Sequence, residues 1–497
     1  MQTLLNINWM QFLFQSSPWG LSLVGALIIL LVGPFLKKPH RFSFGVAFAT
    51  VLASLWLAWT NWMQVAGDNS GLFLFDKITY LFVLFFLIAA GLTLLLSYSY
   101  LKMFGLARPE YYSLLLFAVF GMGCMVAASD LMVFFLGLEI MSVALYVLAG
   151  FQRSNSLCVE ASLKYFLIGA FASAFLLLGI AFIYGASGTT DLVLLHEKGM
   201  ALASGDTRTY MLLGLSLLAV GLGFKIAAVP FHFWAADVYE GSPVVVTTFM
   251  ATAVKAAGFA ALLRIIWALF QWEPMLFTKV IWIGAALTMT IGNIAALVQK
   301  NMKRMLAYSS IAHAGYALVP LVAFANQSAA VVSSVAFYLL AYILMTTGAF
   351  AVLISLTGEG KENCRMSDLT GLGYKKPFLG FVMTFFMLSL AGMPPTMGFF
   401  GKYYMFLQAV QTGYVGLAVL GVLNSVVSVY YYLGPVVAMY FGKETEETKG
   451  LTHIWIPQSV LAVIWLAFLA VAFFGLFPTN ILNMIQTSVS SWLVAVR

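Results

Sequence analysis

An all-α polytopic membrane protein of about fourteen spanning helices is the fold class this sequence predicts, and three observations predict it. Of its 497 residues, 62% are hydrophobic and 9% charged, with a mean hydropathy of +0.97, whereas soluble domains carry about 25% charged residues. The apolar residues fall in runs of about 20, the length that crosses a hydrocarbon core as a helix. The basic residues occupy alternate gaps between those runs, as the positive-inside rule expects of a membrane protein.

Taken in order, the runs lie at about 18–36, 42–62, 77–98, 111–129, 131–150, 161–187, 209–231, 244–270, 277–299, 302–325, 329–356, 377–410, 413–441 and 455–485. The start, MQTLLNINWMQFLFQSSPWG, has no basic region and no small-residue cleavage site, so a removable signal peptide is not expected. Lys37, Lys38 and Arg41 follow span 1, Lys102 and Arg108 span 3, and Arg153 span 5. Lys300, Lys303 and Arg304 follow span 9, Lys361, Arg365, Lys375 and Lys376 span 11, and Lys443 and Lys449 span 13. The opposite gaps hold chiefly Lys77, Lys198, Arg208 and Lys279. Odd-to-even loops are therefore expected in the cytoplasm and both termini in the periplasm.

Two spans depart from the pattern. Span 7 runs into Pro230, and span 12 carries Gly392-Met393-Pro394-Pro395 in mid-run before resuming as TMGFFGKYYMFLQAV. Proline removes a backbone donor and leaves carbonyls that lipid cannot satisfy, so a broken helix at membrane depth points to a lined path. The two breaks stand five spans apart. Repeats place breaks in corresponding positions, and an odd number of helices per unit inverts one unit against the other.

The net charge of +7 is explained by loop lysines and arginines, so nucleic acid is not an expected partner; the lipid bilayer is. Cys124, Cys158 and Cys364 form no CxxC pair, and the five histidines lack metal-type spacing. No nucleotide-binding glycine loop occurs either. Any redox cofactor thus belongs to another subunit, and no metal is expected here.

The candidate chemistry lies in charges set among apolar residues, which are costly unless they serve a purpose. Lys225 and Lys255 bracket the break in GLGFKIAAVPFHFWAADVYEGSPVVVTTFMATAVKAAG, and Lys402 follows the second break. Glu139 stands in LMVFFLGLEIMSVALYVLAG, where every residue from Leu131 to Leu138 is apolar or glycine. Lys225 is its natural partner; a static buried ion pair is the plain alternative. The remaining acids, Asp76 among them, read as loop or span-end residues. Lys164, in EASLKYFLIGAF, either snorkels to the interface or serves the path. His313, in MLAYSSIAHAGYALVP, either relays protons or packs between helices. His232, Trp234, Asp237 and Glu240 line a cytoplasmic entrance or form an interfacial turn with aromatic anchors. Desolvation disfavours the charged form of any lysine, so a lysine in apolar surroundings can release a proton near neutrality, and a nearby carboxylate opposes that release.

Three runs, YFLIGAFASAFLLLGIAFIYGASGTTDL, the stretch from Gly221 through GFAALLR, and SLAGMPPTMGFFGKYYMF, resemble the antiporter-like proton-pumping subunits of bacterial NADH–quinone oxidoreductase, respiratory complex I. The similarity extends along essentially the whole chain. It implies N-terminal helices over 1–110, two inverted five-helix repeats over 111–270 and 271–441 (spans 4–8 and 9–13, with helices 7 and 12 discontinuous), and a loop with helix 14 over 442–497. It implies that Glu139 and Lys225 form a coupling pair, that Lys255 is the central lysine and Lys402 the terminal one, and that Lys164 and His313 match family positions. Lysine at 402 with a short C-terminus favours the N type over the M type, which carries glutamate there, and over the L type, which has a lateral helix. The implied role is proton translocation across the bacterial inner membrane, driven by NADH oxidation and quinone reduction in other subunits. Those subunits would hold the NADH, FMN, iron–sulfur and quinone sites, and K-, J- and M-type subunits would be the neighbours. A subunit of a multi-subunit cation/proton antiporter is the alternative.

Overall fold

The computed structural model of the chain describes residues 9–65, 67–198, 207–269, 272–326, 329–358, 362, 364–442 and 456–495. Among them, thirteen helices are long and apolar enough to cross a membrane. Spans 1 to 6 are Trp9–Phe35, Pro39–Gln64, Lys77–Met103, Pro109–Ala127, Leu131–Ala149 and Ser156–Ser187. Spans 7 to 11 are Thr207–Ile226, Val244–Leu269, Pro274–Leu297, Met302–Phe324 and Ala329–Ser355, and spans 13 and 14 are Val415–Phe441 and Gln458–Leu476. Span 12 consists of two shorter helices, Pro377–Ala391 and Met397–Gln411.

The helix starts follow from local chemistry. Spans 2, 4, 9 and 12 begin on Pro39, Pro109, Pro274 and Pro377, because the first helical position needs no backbone donor. Asp76, Asp130, Asn155 and Asn301 cap spans 3, 5, 6 and 10 by accepting hydrogen bonds from first-turn amides, which satisfies donors that lipid would leave bare.

One expected boundary is corrected. The apolar run at 455–485 does not form a single helix: span 14 ends at Leu476, and a further helix, Pro478–Ala495, begins on its own proline. The missing backbone N–H at Pro478 ends the hydrogen-bond ladder there, which hydropathy alone does not register. Residues 443–455, expected as the loop before span 14, lie outside the described residues. A two-residue antiparallel pair, Asp68–Asn69 with Leu74–Phe75, is the β structure among the described residues, in the gap before span 3.

Spans 8, 10 and 11 are 94%, 94% and 100% buried by other helices, so they form the axis of the bundle. Spans 1, 2, 6, 13 and 14 leave most of their surface outward. Span 4 packs on 5 and 6 on 7; five spans on, 9 packs on 10 and 11 on the second half of 12. Glycines permit the tightest of these contacts. A Cβ on Gly179 of span 6 would lie 2.8 Å from the Gly214 carbonyl of span 7.

The ends of the spans meet as the alternation of basic loops requires. On one side Tyr100 of span 3, Val244 at the start of span 8, Lys303 of span 10 and Glu362 after span 11 share hydrogen bonds. On the other side Asp76 before span 3, Arg264 of span 8 and the Val126 carbonyl of span 4 meet.

Candidate proton path

Span 7 stops one residue after Lys225, where Ala227 takes a left-handed backbone at φ +57°. The groups freed by the stop are taken up locally. Trp234 Nε1 donates to the Phe224 carbonyl at 3.1 Å, Ala228 N to the Gly223 carbonyl at 2.8 Å, and Val229 N to Thr288 Oγ1 at 3.0 Å. Lys225 is thereby fixed at a helix C-terminus, the negative end of the helix dipole. It is 4% exposed and donates to Ser142 Oγ of span 5 at 2.7 Å. Ser142 in turn donates its own hydrogen to the Leu138 carbonyl at 2.5 Å.

Glu139 does not pair with Lys225. Its carboxylate accepts a hydrogen bond from the Ser173 hydroxyl of span 6, and the pair is absent from the ion pairs of the described residues. Glu139 is also only partly buried, on a helix face where Leu136 and Val143 are 57% and 55% exposed. Leu131, Phe134, Gly137 and Leu138 of the preceding run are buried, so the apolar run covers both faces of the helix and Glu139 lies on the outward one.

Lys255 follows directly on a turn of π-helix, Met250–Val254, inside span 8; such bulges recur at functional sites because they shift a side chain off the regular helix face. Its ammonium donates to both the carbonyl and the hydroxyl of Ser310 on span 10, and it lies 5.6 Å from the centre of the Tyr342 ring. Three residues along span 10, His313 is held between the hydroxyls of Tyr338, at Nδ1, and Tyr432, at Nε2 and 2.8 Å. Three further, Tyr316 lies with its ring centre 4.8 Å from Lys402 Nζ. Ser310, His313 and Tyr316 are spaced to share one face of their helix, and that face joins Lys255 to Lys402.

Lys402 reaches back across the second break and donates to the Ala391 carbonyl at 2.8 Å. Ala391 ends the first half of span 12, so Lys402, like Lys225, is held at a helix C-terminus. Gly392 makes this possible: its φ is +88°, and a Cβ there would lie 2.8 Å from Lys402 Cδ.

Lys164 is placed differently. It is 41% exposed in a cleft of ≈ 190 Å³ and pairs with Glu160 and Asp237, while Arg304 pairs with Asp237 and Glu240. Asp237 and Glu240 thus line this cleft. Trp234 points inward and stacks on Tyr165. Burial alone raises the Asp237 carboxyl, but hydrogen bonds from Lys164 and Arg304 hold it below its ordinary value. Burial also keeps His232 below its ordinary value, despite a backbone hydrogen bond at Pro230. Asp237 is therefore a fixed anion, and His232 a neutral ring, at neutral pH.

Lys225, Lys255, His313 and Lys402 lie within residues matched by a known family. The pattern of the family described as NADH:quinone oxidoreductase/Mrp antiporter, transmembrane region, matches residues 128–428. NADH-quinone oxidoreductase subunit N of Trichlorobacter lovleyi is 44% identical over 470 residues, spanning 94% of this chain and 95% of that one. The chain belongs to this family. A chain of respiratory complex I from Thermus thermophilus, solved with bound aureothin, superposes with a TM-score of 0.78 at 36% identity over 94% of this chain and 98% of that one. A chain of the Mrp complex of Dietzia sp. shares the fold, with a TM-score of 0.84 at 20% identity over 97% of this chain and 99% of its own. This member of the antiporter family is a multi-pass membrane protein built as a component of a multi-subunit membrane complex.

Several features of this family member were not visible in its sequence. Asp76, read above as a span-end residue, is 5% exposed and makes a two-pronged ion pair with Arg264 at 2.8 Å for each contact; the acid and the base are too far apart in the chain for spacing to suggest it. Ser142, Ser173 and Ser310 hold the charged groups, yet serines are common in packed membrane helices and carry no distinguishing pattern. Asn293 accepts from Tyr431 at 2.9 Å and donates to Tyr316 at 2.9 Å, extending the polar interior beside His313. Among the described residues no group of three or more His, Cys, Asp or Glu side chains is placed to hold a metal ion.

Proposed function

We propose that this chain is the N-type proton-translocating subunit in the membrane arm of an NADH:quinone oxidoreductase, with electron transfer from NADH to quinone taking place in other subunits. The observation that carries the reading is the row Lys225, Lys255, His313 and Lys402. All four are buried, none joins a carboxylate in an ion pair among the described residues, and Lys255 and Lys402 meet Ser310 and Tyr316 on the face of span 10 that carries His313. Three lysines held by serines, a carbonyl and aromatic rings can change charge without breaking an ion pair. Static structural charges would be paired.

Protons enter through the cleft at Lys164, Asp237 and Arg304, reach Lys225, pass by Lys255 and His313, and leave from Lys402. Spans 4–8 and 9–13 act as the two inverted units, and the basic loops on the entry side support a cytoplasmic entrance. Charge on one lysine makes it costlier to charge the next, because the medium between them has a low dielectric constant. The partly exposed carboxylate of Glu139 couples to the path by its charge, which alters the proton affinity of Lys225, and K-, J- and M-type subunits are the neighbours. The chain supplies no redox centre of its own in this reading.

The test is made in the assembled complex in vesicles. Glu139→Ala or Lys225→Ala should cut proton pumping and coupled quinone reduction severalfold without loss of subunits. Wild-type proton flux in either variant rules the path out, and proton exchange that needs sodium but not NADH rules in favour of a cation antiporter.

A further inference from the structure

Lys225 stands beside the first helix break and Glu139 on the neighbouring span 5, and neither donates to or accepts from the other. Lys225 and Ser173 both line a cavity of ≈ 10 Å³, together with Ser142 and Tyr146, and Ser173 donates to Glu139. A space of that size, about one probe sphere, holds a single water when two to four polar groups face it. Four do so here.

The donors around this cavity run in one direction. Ser173 gives its only hydrogen to Glu139, so its oxygen faces the cavity as an acceptor. Lys225 has three N–H donors and uses one on Ser142, so it has donors to offer a water. Ser142 is a dead end: it accepts from Lys225 and spends its own hydrogen on the Leu138 carbonyl. A hydroxyl has one donor and two acceptor sites, which leaves Ser173 as the serine able to pass a proton toward the carboxylate.

We propose that Ser173, with one water in this cavity, is the proton connection between Lys225 and Glu139; the inference rests on the path described under Proposed function. An N–H bond of Lys225 breaks and its proton goes to the water oxygen. The water releases another proton to Ser173 Oγ, and the Ser173 hydroxyl proton goes to Glu139 Oε1. Lysine becomes a neutral amine and glutamate a carboxylic acid, while water and serine are regenerated with their hydrogens reversed. Both charges disappear together, with no ion left unpaired in the membrane. The reverse shift restores them. Ser142 is a positioning residue that holds Lys225 at the mouth of the cavity.

The test uses the assembled complex, with Ser173→Ala, Ser173→Thr and Ser173→Cys beside the Glu139→Ala and Lys225→Ala controls. Proton pumping per quinone reduced and the redox-induced infrared band of the Glu139 carboxyl are both recorded. The expected result is a severalfold loss of pumping in Ser173→Ala, recovery in Ser173→Thr, which keeps the hydroxyl, and a carboxyl band displaced in Ser173→Ala alone of these two. Ser173→Cys, close in size but a poor donor, reads the same step should the alanine variant not assemble. Wild-type pumping in Ser173→Ala while the two controls are impaired overturns this inference, as does failure of threonine to restore it. Unimpaired controls overturn the underlying path instead.

Discussion

Lys402 is held by a carbonyl, not a carboxylate, and the geometry depends on one residue without a side chain. In Gly392→Ala the new methyl would meet Lys402 Cδ at 2.8 Å in a backbone whose φ is +88°. A left-handed backbone costs an ordinary residue about 1–2 kcal/mol, so the variant should lower the melting temperature of the complex slightly and its pumping markedly, because Lys402 must leave Ala391. Asp237 gives a prediction in pH. Its lowered carboxyl contributes stability at every pH above the ordinary value of 3.8 and loses it only as pH falls through the lowered one. Asp237→Asn should therefore change the pumping rate by the same factor between about pH 6 and 8. A pH profile displaced along its axis would instead make Asp237 a titrating member of the path.

Span 10 shows how an element becomes a conductor. Its residues 310, 313 and 316 meet Lys255, the two tyrosine hydroxyls and Lys402 in turn. Replacing the middle one interrupts the stripe, so His313→Leu should reduce proton pumping severalfold in vesicles while leaving Ser310→Thr, which keeps its hydroxyl, near wild type. Much of this scale was legible in the sequence. The spans, the two breaks and the isolated Lys225, Lys255, Lys402, Glu139 and His313 stand out because hydropathy is nearly one-dimensional and charge in it is rare. What joins them was not legible. The π-turn before Lys255 comes from a backbone shift with no proline or glycine to mark it, and the outward turn of Glu139 depends on which face of span 5 packs on span 4. The break near Pro478 is masked for a simpler reason: isolated apolar residues such as Ile481, Leu482 and Ile485 follow the proline and prolong the apolar run.

At the scale of the molecule, the bundle is closed on one side by charges unrelated to the path. Asp76 and Arg264, with side chains 7% and 4% exposed, tie span 3 to span 8, and Arg264 also donates to the Val126 carbonyl of span 4 at 3.0 Å. Removing one member of such a pair strands the other, which typically costs about 3–5 kcal/mol. Arg264→Met should therefore lower the yield and thermal stability of the complex strongly, whereas proton pumping per quinone reduced in the complexes that do form should match wild type. The helix Pro478–Ala495 completes the closure. It packs along spans 3 and 11, Trp62 Nε1 donates to its Ser488 at 2.8 Å, and the Arg264 guanidinium lies 5.5 Å from the centre of its Trp492 ring. A chain made from its N-terminus forward inserts spans 3 and 8 long before this helix exists. The ion pair is thus assembled early and covered late. A chain cut after Leu476 should insert every span and still be recognised as unfinished, with its guanidinium open to water and its half-life in the cell shortened accordingly.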